Sequence, residues 1–131
     1  MPGIKTRLKI NDNSGARYGI CINLLGAGKK KRAVIGDLLQ VILKSYKHKR
    51  KVKKKNIYLG LVINVKFYFM RKDGTVIKFF STAILIFSKQ KKFLGTNVYG
   101  IVAKEIKIAT EKQKSLKNIF QRLLSYAKAT M

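Results

Sequence analysis

The sequence predicts a mainly β protein: a small five-stranded β-barrel with a projecting β-ribbon and a C-terminal α-helical appendix. Three observations lead there. Apolar residues alternate with period two in five or six short runs, as half-buried strands require. Clusters of Asn, Asp, Gly and Ser separate those runs, supplying turns. Only near the C-terminus does the period change to that of an amphipathic helix. One domain is the natural count for 131 residues, with barrel and ribbon over 1–107 and the helix over 108–131.

Thr6 to Ile10 is the first alternating run, ended by Asn11-Asp12-Asn13-Ser14-Gly15, five consecutive turn formers. Tyr18 to Leu25 reads as the second strand, broken by Gly26-Ala27-Gly28, with Lys29-Lys30-Lys31-Arg32 directly after. Leu38 to Leu43 is the third. From Lys44 to Lys55, eight of twelve residues are Lys or Arg. Lying between two strong strands, that run predicts the projecting ribbon or loop. Ile57 to about Phe69 is the longest strand, with Ile57, Leu59, Leu61, Ile63, Val65 and Phe67 on one side, expected to be the buried face. Asp73-Gly74 then supplies the positive φ of a hairpin turn, and Val76–Phe79 and Ala83–Phe87 return. Asn97 to Val102 is the last strand-like piece. Leu116, Ile119, Phe120, Leu123, Leu124 and Ala127 recur at helical spacing, with Ser115 as N-cap.

Charge dominates the composition. Thirty Lys and Arg oppose five acidic residues, a net charge of +25. Such a surface repels itself unless a polyanion neutralises it. Nucleic acid is the first candidate, because each phosphate contact also releases condensed counterions. An anionic membrane surface, met by the C-terminal helix, is the second. No stretch reaches eighteen apolar residues, so membrane insertion is not expected. The first residues lack the apolar core of a signal peptide and the pattern of a presequence, so the mature fold is expected to begin almost at once.

Catalysis is poorly provided for. The five carboxylates are scattered, the single His48 sits inside a Lys/Arg run, and Cys21 is the only cysteine. No intrachain disulfide, metal site, cofactor or enzymatic activity is expected. Gly26-Ala27-Gly28-Lys29 is not a phosphate-binding P-loop: Asn23 stands where a Gly is needed and Lys30 where a Ser or Thr is needed. The Lys44–Lys55 run suits phosphate neutralisation, although Lys positions a backbone without reading bases. Phe67, Tyr68, Phe69, Phe79 and Phe80 are compatible with base stacking. Alternation turns Phe67 and Phe79 inward, and Tyr68, Phe69 and Phe80 toward a protein neighbour.

Several local patterns then converge. Asn11-Asp12-Asn13-Ser14-Gly15-Ala16-Arg17 resembles the "ADNSGAR" start of the universal large-subunit ribosomal protein family numbered fourteen. Cys21–Gly26 is similar to its "CIKVLG" strand, Gly36-Asp37 to its "GD" turn, and Val52–Lys55 to its "VKKG". Arg71–Phe79 resembles "RRPDGSVIRF", Gly95–Gly100 "GTRIFG", and Ala103–Ile106 "TREL". The matches run in order from about residue 5 to 107. The chain departs from the family pattern at Phe67-Tyr68-Phe69-Met70, where basic residues are usual. It departs also at Phe80-Ser81-Thr82-Ala83, in place of "DGNA", and at Asn97, in place of an Arg.

The resemblance implies a structural constituent of the large ribosomal subunit that binds large-subunit rRNA and touches neighbouring large-subunit proteins. It also implies contact with small-subunit rRNA across an intersubunit bridge, and a docking face for an anti-association (silencing) factor. By position, the RNA contacts fall on Asn13, Ser14, Arg17, Lys29, Lys30, Lys31, Arg32, Lys47, Lys49, Arg50, Lys51, Lys53, Lys54, Arg71, Lys72 and Lys78. Protein docking falls on Thr96, Asn97, Leu116, Phe120 and Leu123. A free single-stranded RNA-binding barrel, acting as RNA chaperone or translation factor, is the alternative. The skew toward Lys, Ile, Phe, Asn and Tyr points to A/T-rich codons and a mitochondrial ribosome, with a plastid or bacterial ribosome second.

Overall fold

A computed structural model describes residues 1–26, 28, 31–47, 51–53, 55–111 and 127–130. Nine strands and one helix are found among them: β1 (Arg7–Ile10), β2 (Ala16–Leu25), β3 (Leu38–Tyr46), β4 (Ile57–Asn64), β5 (Phe69–Met70), β6 (Val76–Ile77), β7 (Ala83–Phe87), β8 (Val98–Val102), α1 (Glu105–Glu111) and β9 (Ala127–Thr130). Five of the strands close a barrel in the order β1-β2-β3-β4-β7. All barrel pairings are antiparallel except β1 with β7, where Lys9 pairs with Ala83 and Ile10 with Ile84 in parallel. Register shifts at Ala16/Tyr18, Tyr18/Gly19 and Cys21/Asn23 let the long β2–β3 ribbon curl into the wall.

The interior is filled by Leu8, Cys21, Leu39, Val41, Val62, Ile84 and Ile86, all buried. Gly19 is required there: a Cβ would sit 2.4 Å from Val41 Cγ1. The core does not stop at the barrel interior. Leu61, Leu85 and Phe87, on the other side of β4 and β7, are equally buried, as are Val98, Val102, Ala103 and Ile106 from beyond the barrel. A second layer therefore covers the outer face of β4–β7. Asn64 Nδ2 donates to the Ile101 carbonyl at 2.7 Å, and Asp12 forms a bridge with Val98.

The structure differs from the alternation in three places. First, both faces of β4 are buried from Gly60 onward, while Ile57, expected inward, is exposed and Tyr58 is buried. Second, β4 ends at Asn64, and Phe67, expected inward, is 51% exposed; Phe79 is buried as expected. Third, the described helix is Glu105–Glu111, and Ala127–Thr130, expected to be helical, forms a strand parallel to β8, pairing Val98 with Ala127 and Val102 with Thr130. An available backbone edge on β8 outweighs helical spacing at that point. Leu116, Phe120 and Leu123 lie outside the described residues.

α1 is locked onto the barrel by a turn. Gly36 has φ +90°, and a Cβ there would lie 2.2 Å from the Ala109 Cβ. Gly36 N–H donates to the Val62 carbonyl at 2.8 Å and Val62 N–H to the Asp37 carbonyl at 3.0 Å. At the hairpin, Arg71 and Thr75 close the turn, and Asp73 Oδ1 accepts from Thr75 N–H at 2.9 Å. The basic run after β3 begins as strand, since β3 extends to Tyr46. Its Val52 is buried, and Lys53 N–H donates to the Tyr58 hydroxyl at 2.7 Å.

Candidate nucleic-acid interface

Where the acidic residues sit decides the character of the surface. Asp12 is buried: Oδ1 accepts from Ser14 N–H at 2.9 Å and from the Ser14 hydroxyl, and Oδ2 accepts from Ile86 N–H at 3.0 Å. Burial pushes its carboxyl above the usual carboxylate range, with the hydrogen bonds from Ser14 and Ile86 opposing. Asp37 Oδ2 accepts from Val34 N–H at 2.8 Å. Asp73 holds its turn, and its hydrogen bonds to Thr75 keep its carboxyl below the usual value. Glu105 pairs with Arg71 through Nε and, at 3.3 Å, through Nη2. Each of these four carboxylates braces the framework.

Several cations gather where β1, β2 and the end of β3 come together. β1 alternates so that Leu8 and Ile10 enter the core while Arg7 and Lys9 project outward. Beside them, Arg17 and Lys47 are exposed, and Lys47 N–H donates to the Gly15 carbonyl at 2.7 Å, which holds the base of the basic run against the 11–15 loop. Lys9, Asn13, Arg17, Tyr18, Lys47 and Tyr99 line an open cleft of about 480 Å³. A second depression of about 340 Å³, lined by Arg7, Tyr18, Ile20, Lys44 and Ser45, adjoins it at Tyr18. The Arg7 guanidinium lies 4.2 Å from the Tyr18 ring centroid, held as a cation–π pair. Together they form an open cationic track with aromatic walls, suited to a flexible polyanion backbone rather than an enclosed small molecule.

The residues expected from the sequence to touch RNA divide into groups. Arg17 and Lys47 line the cleft. Asn13 lines it too, but its Oδ1 accepts from Thr96 N–H at 2.6 Å and Asn97 N–H at 3.1 Å, and its Nδ2 donates to Thr96 Oγ1 at 2.5 Å. Asn13 is thus a clamp on the Thr96–Asn97 corner, both of whose residues are exposed. Ser14 is buried on Asp12, and Arg71 engages Glu105. Lys31, Arg32, Lys51, Lys53, Lys72 and Lys78 are exposed and lie outside the cleft. Lys29, Lys30, Lys49, Arg50 and Lys54 lie outside the described residues. Arg7, Lys9, Lys44, Tyr18 and Tyr99 were not singled out by motif. The available signal was the Arg7-Leu8-Lys9-Ile10 alternation, which sets two cations on one strand face. Among the described residues, no group of His, Cys, Asp and Glu could hold a metal ion.

The family model for ribosomal protein L14p/L23e matches residues 1–130. The chain belongs to that family. It is also similar to the large ribosomal subunit protein uL14 of Carsonella ruddii (strain PV), with 35% identity over 103 residues, covering 79% of this chain and 84% of that protein. The residues matched include the barrel, the Asn13–Thr96 corner and the described part of the cationic track.

Proposed function

We propose that this chain binds large-subunit rRNA through the Lys9–Arg17–Lys47 cleft and its continuation along Arg7 and Lys44. Family membership makes it a structural constituent of the large ribosomal subunit. The observation that carries the RNA reading is the segregation of charge: Asp12, Asp37, Asp73 and Glu105 are engaged by hydrogen bonds or an ion pair of the fold itself, while Lys and Arg line an open track. Each phosphate docked there replaces mobile counterions with a fixed ammonium or guanidinium, a gain that needs no base recognition. Arg17 offers a forked donor that can take two phosphate oxygens. The barrel holds these side chains at fixed spacing, so the protein braces RNA segments and carries out no chemical step.

The finer assignments rest on placement. The Thr96–Asn97 corner is exposed and tied to Asn13 by three hydrogen bonds, two of which Asn13 accepts and one of which it donates, which suits a contact with small-subunit rRNA or an anti-association factor. Neighbouring large-subunit proteins are further partners. A mitochondrial ribosome is our placement on the residue skew; the similar protein named above is bacterial. Sedimentation of native ribosomes through a high-salt sucrose gradient, following the chain by mass spectrometry, tests the integral role. Stoichiometric co-migration with the large subunit is expected. Release to the top fractions would overturn it.

A further inference from the structure

We propose that the β5–β6 hairpin and the loop following it form a second RNA site, where an unpaired nucleobase stacks on Phe80 and Tyr68 while Lys66 and Lys78 meet the flanking phosphates. The proposal rests on the RNA-binding reading above and extends it to a face remote in sequence from the cleft. Phe80 is 100% exposed and Tyr68 60% exposed. A single exposed aromatic is ordinary, but Phe67, Met70 and Val76 are also more than half exposed on the same hairpin. A concentration of this kind marks a contact surface.

The segments that carry the rings are held in place. Phe69 pairs with Ile77 across the hairpin, and one step back along that register Tyr68 meets Lys78. The Lys78 ammonium lies 4.4 Å from the Tyr68 ring centroid and 3.4 Å from its hydroxyl. Lys66 N–H donates to Thr82 Oγ1 at 3.2 Å, which ties the segment carrying Phe80 to the start of the hairpin. Phe79, next to Phe80, is buried and anchors the backbone from below. The aromatic group therefore sits on a braced support.

Charge chooses the occupant. Between residues 66 and 82 the cations are Lys66, Arg71, Lys72 and Lys78, against Asp73 alone. Asp73 is turned into the hairpin turn, and Arg71 onto Glu105. Lys66, Lys72 and Lys78 are exposed, and Lys78 lies against the Tyr68 ring. An apolar protein surface covering Phe80 and Tyr68 would have to strip water from Lys66 and Lys78 without replacing it. A nucleotide supplies both complements at once, a π-face for the ring and a phosphate for the ammonium.

The test uses the purified full chain and an unstructured oligouridylate 12-mer, comparing the wild type with Phe80→Ala, Phe80→Leu and Phe80→Trp. Because the Phe80 side chain is wholly solvent-exposed, none of these should alter folding. Stacking predicts that Ala and Leu each weaken binding about 5- to 150-fold, that Trp retains it, and that the salt slope stays unchanged. Equal binding by wild type, Ala and Leu would overturn the stacking site, and failure of those variants to enter the large subunit would then assign the face to a protein neighbour. Loss with Ala but not Leu would likewise overturn it, since a merely apolar contact tolerates Leu. A wild type without salt-dependent RNA binding would instead overturn the cleft reading on which the site depends.

Discussion

Gly36→Ala tests how the second layer is attached to the barrel. Two costs can be worked from the geometry. At φ +90° an alanine bears a left-handed strain of about 1–2 kcal/mol. Its Cβ would also lie 2.2 Å from the Ala109 Cβ, less than any real contact. α1 must then retreat, loosening the buried Ile106 and the Arg71–Glu105 pair. Overpacking of this kind costs about 1–3 kcal/mol. The sum, about 2–5 kcal/mol, is a large part of the stability of a small domain and corresponds to a fall in Tm of roughly 6–20 °C for this size. Thermal unfolding of the purified protein, followed by circular dichroism, measures it. The two costs can be separated with Ala109→Gly, which removes the clash and leaves the strain. The double variant should recover roughly the overpacking share, less the cost of about 1 kcal/mol for glycine in a helix. A Tm for Gly36→Ala within a degree of the wild type would refute the close approach of α1. A full loss without rescue by Ala109→Gly would place the whole cost in the backbone.

Four further outcomes are expected. Asp12→Ala leaves the buried N–H groups of Ser14 and Ile86 without an acceptor, costing about 2–6 kcal/mol by urea unfolding at pH 7. For Asp12→Asn the penalty depends on pH: because the folded-state carboxyl lies above its ordinary value of 3.8, the wild type gains stability as pH falls through that raised value. The destabilisation by Asn should therefore be larger at pH 4 than at pH 7, and an unchanged or smaller penalty would contradict the burial of the carboxylate. Arg71→Glu should lower Tm, with partial recovery in Arg71→Glu/Glu105→Arg, whereas a purely RNA-facing Arg71 would leave Tm unaltered in free protein. Asn13→Ala should raise hydrogen exchange at Thr96 and Asn97 selectively, since both backbone N–H groups lose their acceptor.

How much of this was legible in the sequence depends on the range of the interaction. The barrel strands follow from local alternation, and the hairpin turn follows from Asp73-Gly74, because both are set by neighbours a few residues away. The burial of both faces of β4 was not legible, since its outer cover comes from Val98 to Ile106, whose approach no local pattern reports. For the same reason Phe67 reads as inward although the strand has already ended. Asp12 and Asn13 look like loop polar groups, yet their partners Ile86 and Thr96 lie 74 and 83 residues away. In the cleft, motif matching found Arg17 but passed over Lys9 and Tyr99, which are brought to it only by the β1–β2 pairing and by the Tyr99 N–H bond to the Asn11 carbonyl. The strand at Ala127–Thr130 depends on an edge supplied by β8 and leaves no trace in helical spacing.

The most direct measurement is the salt dependence of large-subunit rRNA binding by the wild type and by Lys9→Ala/Arg17→Ala/Lys47→Ala. All three side chains are exposed, so the variant should keep the thermal stability of the wild type. If each neutralises one phosphate, the slope of log affinity against log salt should become shallower by about 2 to 3. An unchanged slope with a folded variant would contradict the cleft as the site of backbone neutralisation.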